Sequence, residues 1–149
     1  MSQHHPIADL LREPEGSQAR NPNVEHLREG KPACAAMKAL FRIMDAWGVA
    51  NDQARILLGS PSRSTFFRWK AGEIARLPHD TLMRISYVLG IYKTLQTIYS
   101  TDRRYADEWI KRPNTAFGGQ SALEHMLGGQ ITDLADVRVY LDANREGWS

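Results

Sequence analysis

The chain of 149 residues contains a single cysteine and no long hydrophobic run. Cys34 alone cannot form an internal disulfide, which suits the reducing conditions of the cytoplasm. No apolar stretch approaches the roughly 20 residues that a membrane-spanning helix needs. The first residues also lack the basic-then-apolar layout of a secretion signal. We therefore expect a cytoplasmic protein that does not enter a membrane.

Residue groupings that carry catalytic or metal chemistry are also missing. The five histidines are scattered without the spacing of metal ligands. Asp107 and Glu108 are neighbours, so on a helix their carboxylates would face different directions. A phosphate-binding loop needs a lysine and a hydroxyl after its second glycine, but Gln120 follows Gly118 and Gly119. We expect no catalytic activity, no cofactor and no metal.

Positive residues only slightly outnumber negative residues in the whole chain, but the two are unevenly distributed along it. The net charge is +2. Residues 33–101 carry nine Lys/Arg against four Asp/Glu, a net of +5, whereas residues 102–149 carry six against eight, a net of −2. This asymmetry indicates two regions with different partners.

Apolar residues recur at helical spacing through most of the chain. The residues Met37, Leu40, Phe41, Met44 and Trp47 fall at i, i+3, i+4, i+7 and i+10, which is the pattern of an amphipathic helix. Shorter stripes of this kind follow, and no segment alternates β-branched with polar residues as a half-buried strand does. The sequence therefore predicts an all-α fold.

Glycines and polar capping residues predict where these helices begin and end. The predicted ends are Gly48, Gly72 and Gly90, so that a helix starting near Pro78 stops at Gly90 and another begins at Ile91. The predicted N-caps are Asn51, Ser62, Asp102, Ser121 and Thr132.

The first 32 residues differ from the rest of the chain. They contain Pro6, Pro14, Pro22 and Pro32, with scattered charges and no sustained periodicity. This composition predicts a mobile N-terminal arm over residues 1–32.

Residues 51–72 have the dimensions of a helix-turn-helix, with a short helix, a turn that contains Gly59 and a second short helix. In this motif the second helix enters the major groove of DNA, and its first residues reach base edges. Hydroxyl and guanidinium groups at the start of the second helix suit contacts to bases and phosphates. The predicted DNA-binding residues are Ser62, Arg63, Ser64, Thr65, Arg68, Lys70 and Arg76.

Aromatic residues in the same helix are predicted to hold it against the core. Phe66 and Trp69 are three residues apart and form the anchor. Phe67 is either a core residue or a contact to a thymine methyl group, and the core is the favoured interpretation. A basic helix of this kind can also be a solvated face, or a helix-turn-helix that has decayed into a dimerisation element. The local net charge of +5 favours DNA binding over a solvated face, and the cluster of Arg63, Arg68 and Lys70 argues against decay.

The stretch WIKRPNTAFGGQSALEHMLGG combines a turn and a new helix. Gly118 and Gly119 permit backbone angles that other residues rarely adopt. Ser121 and Glu124 form a capping box, and Phe117 is predicted to pack the turn onto the core. These features describe a connector, and they leave open whether it also forms a surface for a partner.

The same stretch, followed after a spacer by VRVYLDA, resembles the toxin-binding domain of the MbcA/ParS/Xre family of antitoxins. Upstream, LLGSPSRSTFFRWK and LPHDTLMRISYVLGIYK are similar to that family's Xre-like helix-turn-helix domain. The two parts cover about residues 34–146 in the family's order. The resemblance implies a DNA-binding domain over residues 33–101 and a toxin-binding domain over residues 102–149.

The resemblance further implies a type II toxin–antitoxin pair. The usual partner in this family is a RES-domain toxin, whose fold is allied to ADP-ribosyl transferases and which consumes NAD+ or transfers from it. The antitoxin binds the toxin and covers its NAD+ site, and the complex represses its own operon. The residues implied in toxin binding are Trp109, Pro113, Asn114, Phe117, Gly118, Gly119, Arg145, Glu146 and Trp148. Trp148 is equally suited to packing back on its own domain.

Helix-turn-helix proteins usually read two half-sites as dimers. We therefore expect a homodimer through the helices at 33–47 and 91–110, or a higher hetero-oligomer with the toxin. The main rival function is a stand-alone helix-turn-helix transcriptional regulator without a toxin partner.

Overall fold

The structure, a computed structural model, describes residues 24–145, which form seven α-helices and no strand. The helices are α1 (Gly30–Trp47), α2 (Asn51–Leu57), α3 (Arg63–Lys70), α4 (His79–Ile98), α5 (Arg103–Trp109), α6 (Ala122–Met126) and α7 (Ile131–Asn144). Two single 3-10 turns, Glu25–Leu27 and Thr115–Phe117, precede α1 and α6. The prediction of an all-α fold is confirmed.

The core is continuous from the first described residues to α7. α1 buries Met37, Leu40, Met44 and Trp47 of the predicted stripe, whereas Phe41 is only partly buried. It ends at Gly48, which adopts the left-handed conformation (φ 68°) expected of a glycine C-cap. Because so many large side chains point inward from one helix, α1 forms the central support of the N-terminal half.

Residues 24–32 do not behave as the predicted arm. Val24 and Leu27 are buried, and Leu27 has no exposed surface. The Leu77 amide donates to the Arg28 carbonyl (2.9 Å), and α1 already begins at Gly30. The apolar pair at Val24 and Leu27 covers one end of the core, so this part of the predicted arm is folded. Residues 1–23 lie outside the described residues.

The helix starting after Pro78 does not stop at Gly90, contrary to the prediction. α4 runs without interruption from His79 to Ile98. The Arg138 side chain of α7 lies against Gly90 so closely that a Cβ atom there would be 1.5 Å from its Nη1 atom. Gly90 therefore serves helix packing, and the separate helix predicted from Ile91 is the second half of α4.

Local capping was predicted correctly at three helices and wrongly at two. The side chains of Ser62 and Asp102 accept the expected backbone hydrogen bonds, and Ser121 and Glu124 form the predicted capping box.

The two wrong caps are replaced by neighbouring residues. Asn51 is the first residue of α2 and Ala50 is its N-cap. The backbone amide of Ala50 donates to Gln53 Oε1 (3.1 Å). At α7, Asp133 accepts from the amide of Gln130 (3.0 Å), so Thr132 is not the cap. In both cases the side chain three residues after the N-cap accepts a hydrogen bond from the backbone amide of the N-cap residue.

α4 connects the two halves of the molecule. It packs on α1 toward the N-terminal half and on α5 and α7 toward the C-terminal half. The buried residues of α4, such as Leu82, Ile85, Leu89 and Leu95, extend along most of its length. No helix among residues 24–145 is long and apolar enough to cross a membrane.

Candidate functional site

The first candidate surface is built by α2, a tight turn and α3. In the turn, Gly59 (φ 94°) and Ser60 (φ 58°) both adopt positive φ, which reverses the chain within a few residues. Arg55 Nη1 donates to the Pro61 carbonyl (2.9 Å) and braces the turn. The Ser62 hydroxyl accepts from the Thr65 amide (3.2 Å) and starts α3. This is the helix, turn and helix that the sequence predicts.

Two aromatic residues fix the orientation of α3. Phe66 is fully buried and Trp69 nearly so, as predicted. The Phe66 ring meets the Phe41 ring of α1 edge-on at 5.5 Å between centroids. Since the inner side of α3 is anchored in this way, its opposite side must face solvent.

Arg84 of α4 holds the end of α2 in place. Its side chain is only 8% exposed and pairs with Asp80 at 2.7 Å. Its Nη1 atom donates to the Leu57 carbonyl (3.4 Å) at the C-terminus of α2, where a positive charge is favoured by the helix dipole. The C-terminus of α2 is therefore held by a buried arginine of α4.

The structure brings most of the predicted DNA-binding residues together at α3. Ser62, Arg63, Ser64, Arg68 and Lys70 are exposed, and Thr65 is half-buried. They belong to α3 or to its N-cap, so one rigid element displays six of the seven predicted residues.

The cations of this surface are held by hydrogen bonds and ion pairs. Arg63 pairs with Asp52 of α2 (3.3 Å), and both side chains are well exposed. Lys70 Nζ donates to Asn51 Oδ1 (2.6 Å), and Arg68 Nη2 donates to Thr65 Oγ1 (3.2 Å). These contacts lie in water and are weak, so phosphate groups can replace them.

Arg76 is the one predicted DNA-binding residue outside α3 and its N-cap, and Phe67 is not in the core position that was predicted for it. Arg76 lies beyond α3, in the loop before α4, where it pairs with Glu29 (3.8 Å). Phe67 is 46% exposed, so its predicted core position is wrong. Phe66 and Trp69 are the two buried residues of α3, so the core takes only these side chains from the helix.

The second candidate surface is the loop of residues 113–120. Asn114 organises it: its side chain accepts from the Ala116 amide (2.9 Å), and its amide donates to the Gln120 carbonyl (3.0 Å). Gly118 (φ 65°) and Gly119 (φ 90°) adopt the positive φ that the sequence indicates. A Cβ atom on either glycine would meet nothing within 4 Å, so this edge of the loop faces open space.

The loop does not form a cradle for an anion. The Gly118 amide donates to the Thr115 carbonyl (3.2 Å) and the Gly119 amide to the Asn114 carbonyl (3.0 Å). The Gln120 amide donates to the Phe117 carbonyl (3.1 Å). Since these amides are already engaged, they are not free donors for a phosphate.

Aromatic residues support the loop from below. The Phe117 ring packs edge-on against Tyr140 of α7, with 5.4 Å between ring centroids. Trp109, at the end of α5, stacks on Tyr140 at 6.3 Å and is only 8% exposed. Trp109 therefore belongs to the support of the predicted toxin-binding surface, whereas Pro113, Gly118 and Gly119 are exposed.

The structure also joins residues that looked scattered in the sequence. His125 of α6 contacts Asp136 of α7 through its Nε2 atom (2.9 Å) and lies 4.0 Å from Asp133. One nitrogen of His125 and one carboxylate oxygen from each aspartate lie within 4.8 Å of one another. Because the turn between α6 and α7 separates them in sequence, no spacing pattern reveals them. His125 also contacts Phe117 at 5.0 Å, so the trio fixes α6 and α7 beside the loop.

One carboxyl near the contact between α4 and α5 has a shifted pKa. Partial burial raises the pKa of Asp107, and the hydrogen bond from Gln96 (3.2 Å) and the charges of Arg103 and Lys111 act in the opposite direction. Burial also raises the pKa of the nearby Tyr92 hydroxyl.

Of the predicted tail residues, only Arg145 is described, and it is exposed at the end of α7. Glu146 and Trp148 lie outside the described residues. The structure thus provides one exposed helix with basic and hydroxyl side chains, and one exposed loop with a rigid backbone.

Comparison with known proteins matches these two parts of the fold. Residues 28–90 match the antitoxin Xre-like helix-turn-helix domain, and residues 94–147 match the antitoxin Xre/MbcA/ParS C-terminal toxin-binding domain. The uncharacterized protein y4oB of Sinorhizobium fredii (strain NBRC 101917 / NGR234) is 49% identical over 113 residues, which cover 76% of this chain and 86% of the relative. The chain therefore belongs to the Xre/MbcA/ParS family of antitoxins, with a helix-turn-helix domain and a toxin-binding domain.

Proposed function

We propose that this antitoxin belongs to a type II system, occludes the active site of a RES-domain toxin that consumes NAD+, and represses its own operon. The observation that carries the proposal is the tandem of a helix-turn-helix domain and a toxin-binding domain in one chain. Two separate exposed surfaces, one in each half, support two different partners.

On the DNA side, we propose that α3 enters the major groove. Its exposed hydroxyl and guanidinium groups suit base edges and phosphates. Arg63, Arg68 and Lys70 provide the positive charge, and Arg76 adds a flanking phosphate contact from its loop. The side chains that pair with these cations in the free protein are exposed, so binding need not leave a buried charge unpaired.

On the toxin side, we propose that the 113–120 loop and the C-terminal residues contact the toxin. Pro113, Gly118 and Gly119 provide an exposed backbone edge, and Asn114 and Phe117 give the loop its shape. We assign Arg145, Glu146 and Trp148 to the part of the chain that reaches the NAD+ site. Trp109 acts indirectly, because it is buried beneath the loop.

For DNA binding we propose a homodimer, since two half-sites require two copies of α3. The apolar side of α1 is used within its own core. A contact through this helix would therefore rest on its exposed polar residues, such as Lys38 and Arg42.

The decisive experiment co-expresses the chain with the product of the adjacent reading frame while growth and NAD+ are measured. We expect the neighbouring product alone to arrest growth and deplete NAD+, and the full chain to restore both. Growth arrest without NAD+ loss would contradict the RES-type partner. A harmless neighbour that does not co-purify with the chain would favour a stand-alone regulator.

Two variants separate the proposed surfaces. The double variant Arg63→Ala/Arg68→Ala should still protect against the toxin but lose binding to the promoter region of its own gene. Deletion of residues 145–149 should have the opposite effect, with DNA binding retained and protection reduced. If both variants lose both activities while remaining folded, the assignment of two independent surfaces is wrong.

The salt dependence of DNA binding tests the role of the two arginines directly. Each phosphate contact contributes a slope of about −0.9 to the plot of log affinity against log salt concentration. In the proposed homodimer the double variant removes four arginines, so it should flatten this plot by up to about 3.6. Arg112→Ala, which removes an exposed arginine of the C-terminal half, is the matched control and should leave the slope unchanged.

A further inference from the structure

Phe67 is an exposed aromatic residue in the middle of the polar surface of α3. It is 46% exposed, and only two other large hydrophobic residues of the described chain, Tyr105 and Val139, are also exposed. Its ring packs edge-on against the ring of its neighbour Phe66, with 5.1 Å between the ring centroids. The core does not require Phe67, because Phe66 and Trp69 already anchor the helix.

The position of Phe67 on α3 follows from helix geometry. Successive residues are about 100° apart around the axis. Phe66 and Trp69 therefore define the inner side, and Ser64 lies opposite them. Phe67 and Arg68 lie on either side of Ser64, so the phenyl ring belongs to the outward side that the proposed function presents to DNA.

The surroundings of Phe67 favour nucleic acid over protein as its partner. A protein interface has a contiguous apolar centre. The residues three and four positions from Phe67 are instead Arg63, Ser64, Lys70 and the small Ala71, all of them exposed. The other two exposed hydrophobic residues, Tyr105 and Val139, belong to α5 and α7. In the major groove the thymine C5-methyl group is the apolar feature of the base edges, and phenylalanine is one of the side chains that contact it.

We propose that Phe67 determines sequence specificity by packing against a thymine methyl group in each half-site. The inference rests on the proposed DNA-binding function and adds a base preference to it. Ser64 and Arg68, which follow the ring in that order around the helix, supply polar contacts to the neighbouring base or phosphate.

The test uses the full chain and the promoter region of its own gene. A footprint first defines the bound site, and each thymidine within it is then replaced by deoxyuridine, which removes only the methyl group. We expect wild-type affinity to fall about fourfold at one position in each half-site, as for the loss of one buried methyl-sized group. Phe67→Ala should bind unmodified DNA less tightly and should be insensitive to deoxyuridine at that position.

Two further variants control for indirect effects. Phe67→Leu keeps an apolar side chain and should retain part of the deoxyuridine sensitivity. Val139→Ala removes an exposed hydrophobic residue from α7 and should behave like the wild type. Thermal unfolding of Phe67→Ala, which changes an exposed side chain, should be close to that of the wild type.

The failures of the two proposals are distinguishable. A clear footprint with no deoxyuridine effect, or an effect that persists in Phe67→Ala, overturns the role of Phe67 and leaves DNA binding intact. If the full chain protects no part of the promoter fragment, both the DNA-binding proposal and the inference on Phe67 fail.

Discussion

The helix-turn-helix half and the C-terminal half present their surfaces by different means. In the first half, a helix anchored by Phe66 and Trp69 displays side chains, and its backbone is hidden within the helix. In the second half, a loop held by Asn114 displays its backbone at Gly118 and Gly119, above the packed and partly buried rings of Phe117 and Tyr140. Side chains suit the hydrogen-bonding pattern of base edges, whereas a rigid backbone edge suits the shape of a folded protein.

The largest expected effect tests whether the two halves are stabilised together. Trp69 and Trp109 are each 8% exposed and lie in different halves. Replacing either with alanine should lower the free energy of unfolding by about 3–5 kcal/mol. Because α4 packs against both halves, each variant should still unfold in a single transition when urea unfolding is followed by circular dichroism and by fluorescence.

The control for this comparison is Val139→Ala, which changes an exposed residue and should alter stability by less than about 0.5 kcal/mol. Two separate transitions in either tryptophan variant would show that the halves unfold independently and would contradict the shared-core interpretation.

Smaller changes in the free energy of unfolding are expected at the two turns, a loss in one turn and a gain in the other. Gly119→Ala should cost about 1–2 kcal/mol of stability, because alanine is strained at a φ of 90°. Ser60 already bears such strain at a φ of 58°, so Ser60→Gly should stabilise the chain. The net gain should be about 0.5 kcal/mol, since glycine also favours the unfolded state.

Denaturant unfolding measures both changes, and toxin binding sharpens the comparison. Gly119→Ala should also weaken the complex with the toxin, whereas Ser60→Gly should not. Gln120→Ala, one residue further along the loop, is the control for stability. A Gly119→Ala variant as stable as the wild type would show that the loop backbone is less constrained than the structure indicates.

The smallest effect concerns Asp107, near the contact between α4 and α5. Its pKa is raised by burial, so its ionisation at neutral pH costs the folded state some stability. Asp107→Asn should therefore raise the melting temperature slightly at neutral pH. Solvent screening keeps the gain below about 1 kcal/mol. The gain should vanish as the pH falls and the wild-type carboxyl becomes protonated in both states.

Glu108→Gln is the matched control, because Glu108 is adjacent but exposed and paired with Arg112. It should give no stabilisation at neutral pH. A gain in Asp107→Asn that is equally large at low pH would mean that it does not arise from ionisation.

Features that depend on a few neighbouring residues were predictable from the sequence. The caps at Ser62 and Asp102 and the capping box of Ser121 and Glu124 each involve residues three apart, and all are present. The all-α fold and the anchor formed by Phe66 and Trp69 follow from helical spacing in the same way.

Features that depend on a distant partner were not predictable. Gly90 was predicted to end a helix, but it lies within α4, where the absence of a Cβ atom makes room for the Arg138 side chain. Phe67 reads as a core residue until the core proves to be filled by its neighbours. The contact between His125 and Asp136 spans a turn and two helices, so no local pattern reveals it.

The uninterrupted course of α4 limits how the helix-turn-helix domain and the toxin-binding domain can be exchanged between relatives. The two family matches end at residue 90 and resume at residue 94, in the middle of this helix. A cut there would expose apolar surface on both products, so recombination between relatives should preserve the two halves as a pair. We then expect a change of binding partner to arise by point substitutions within an intact chain.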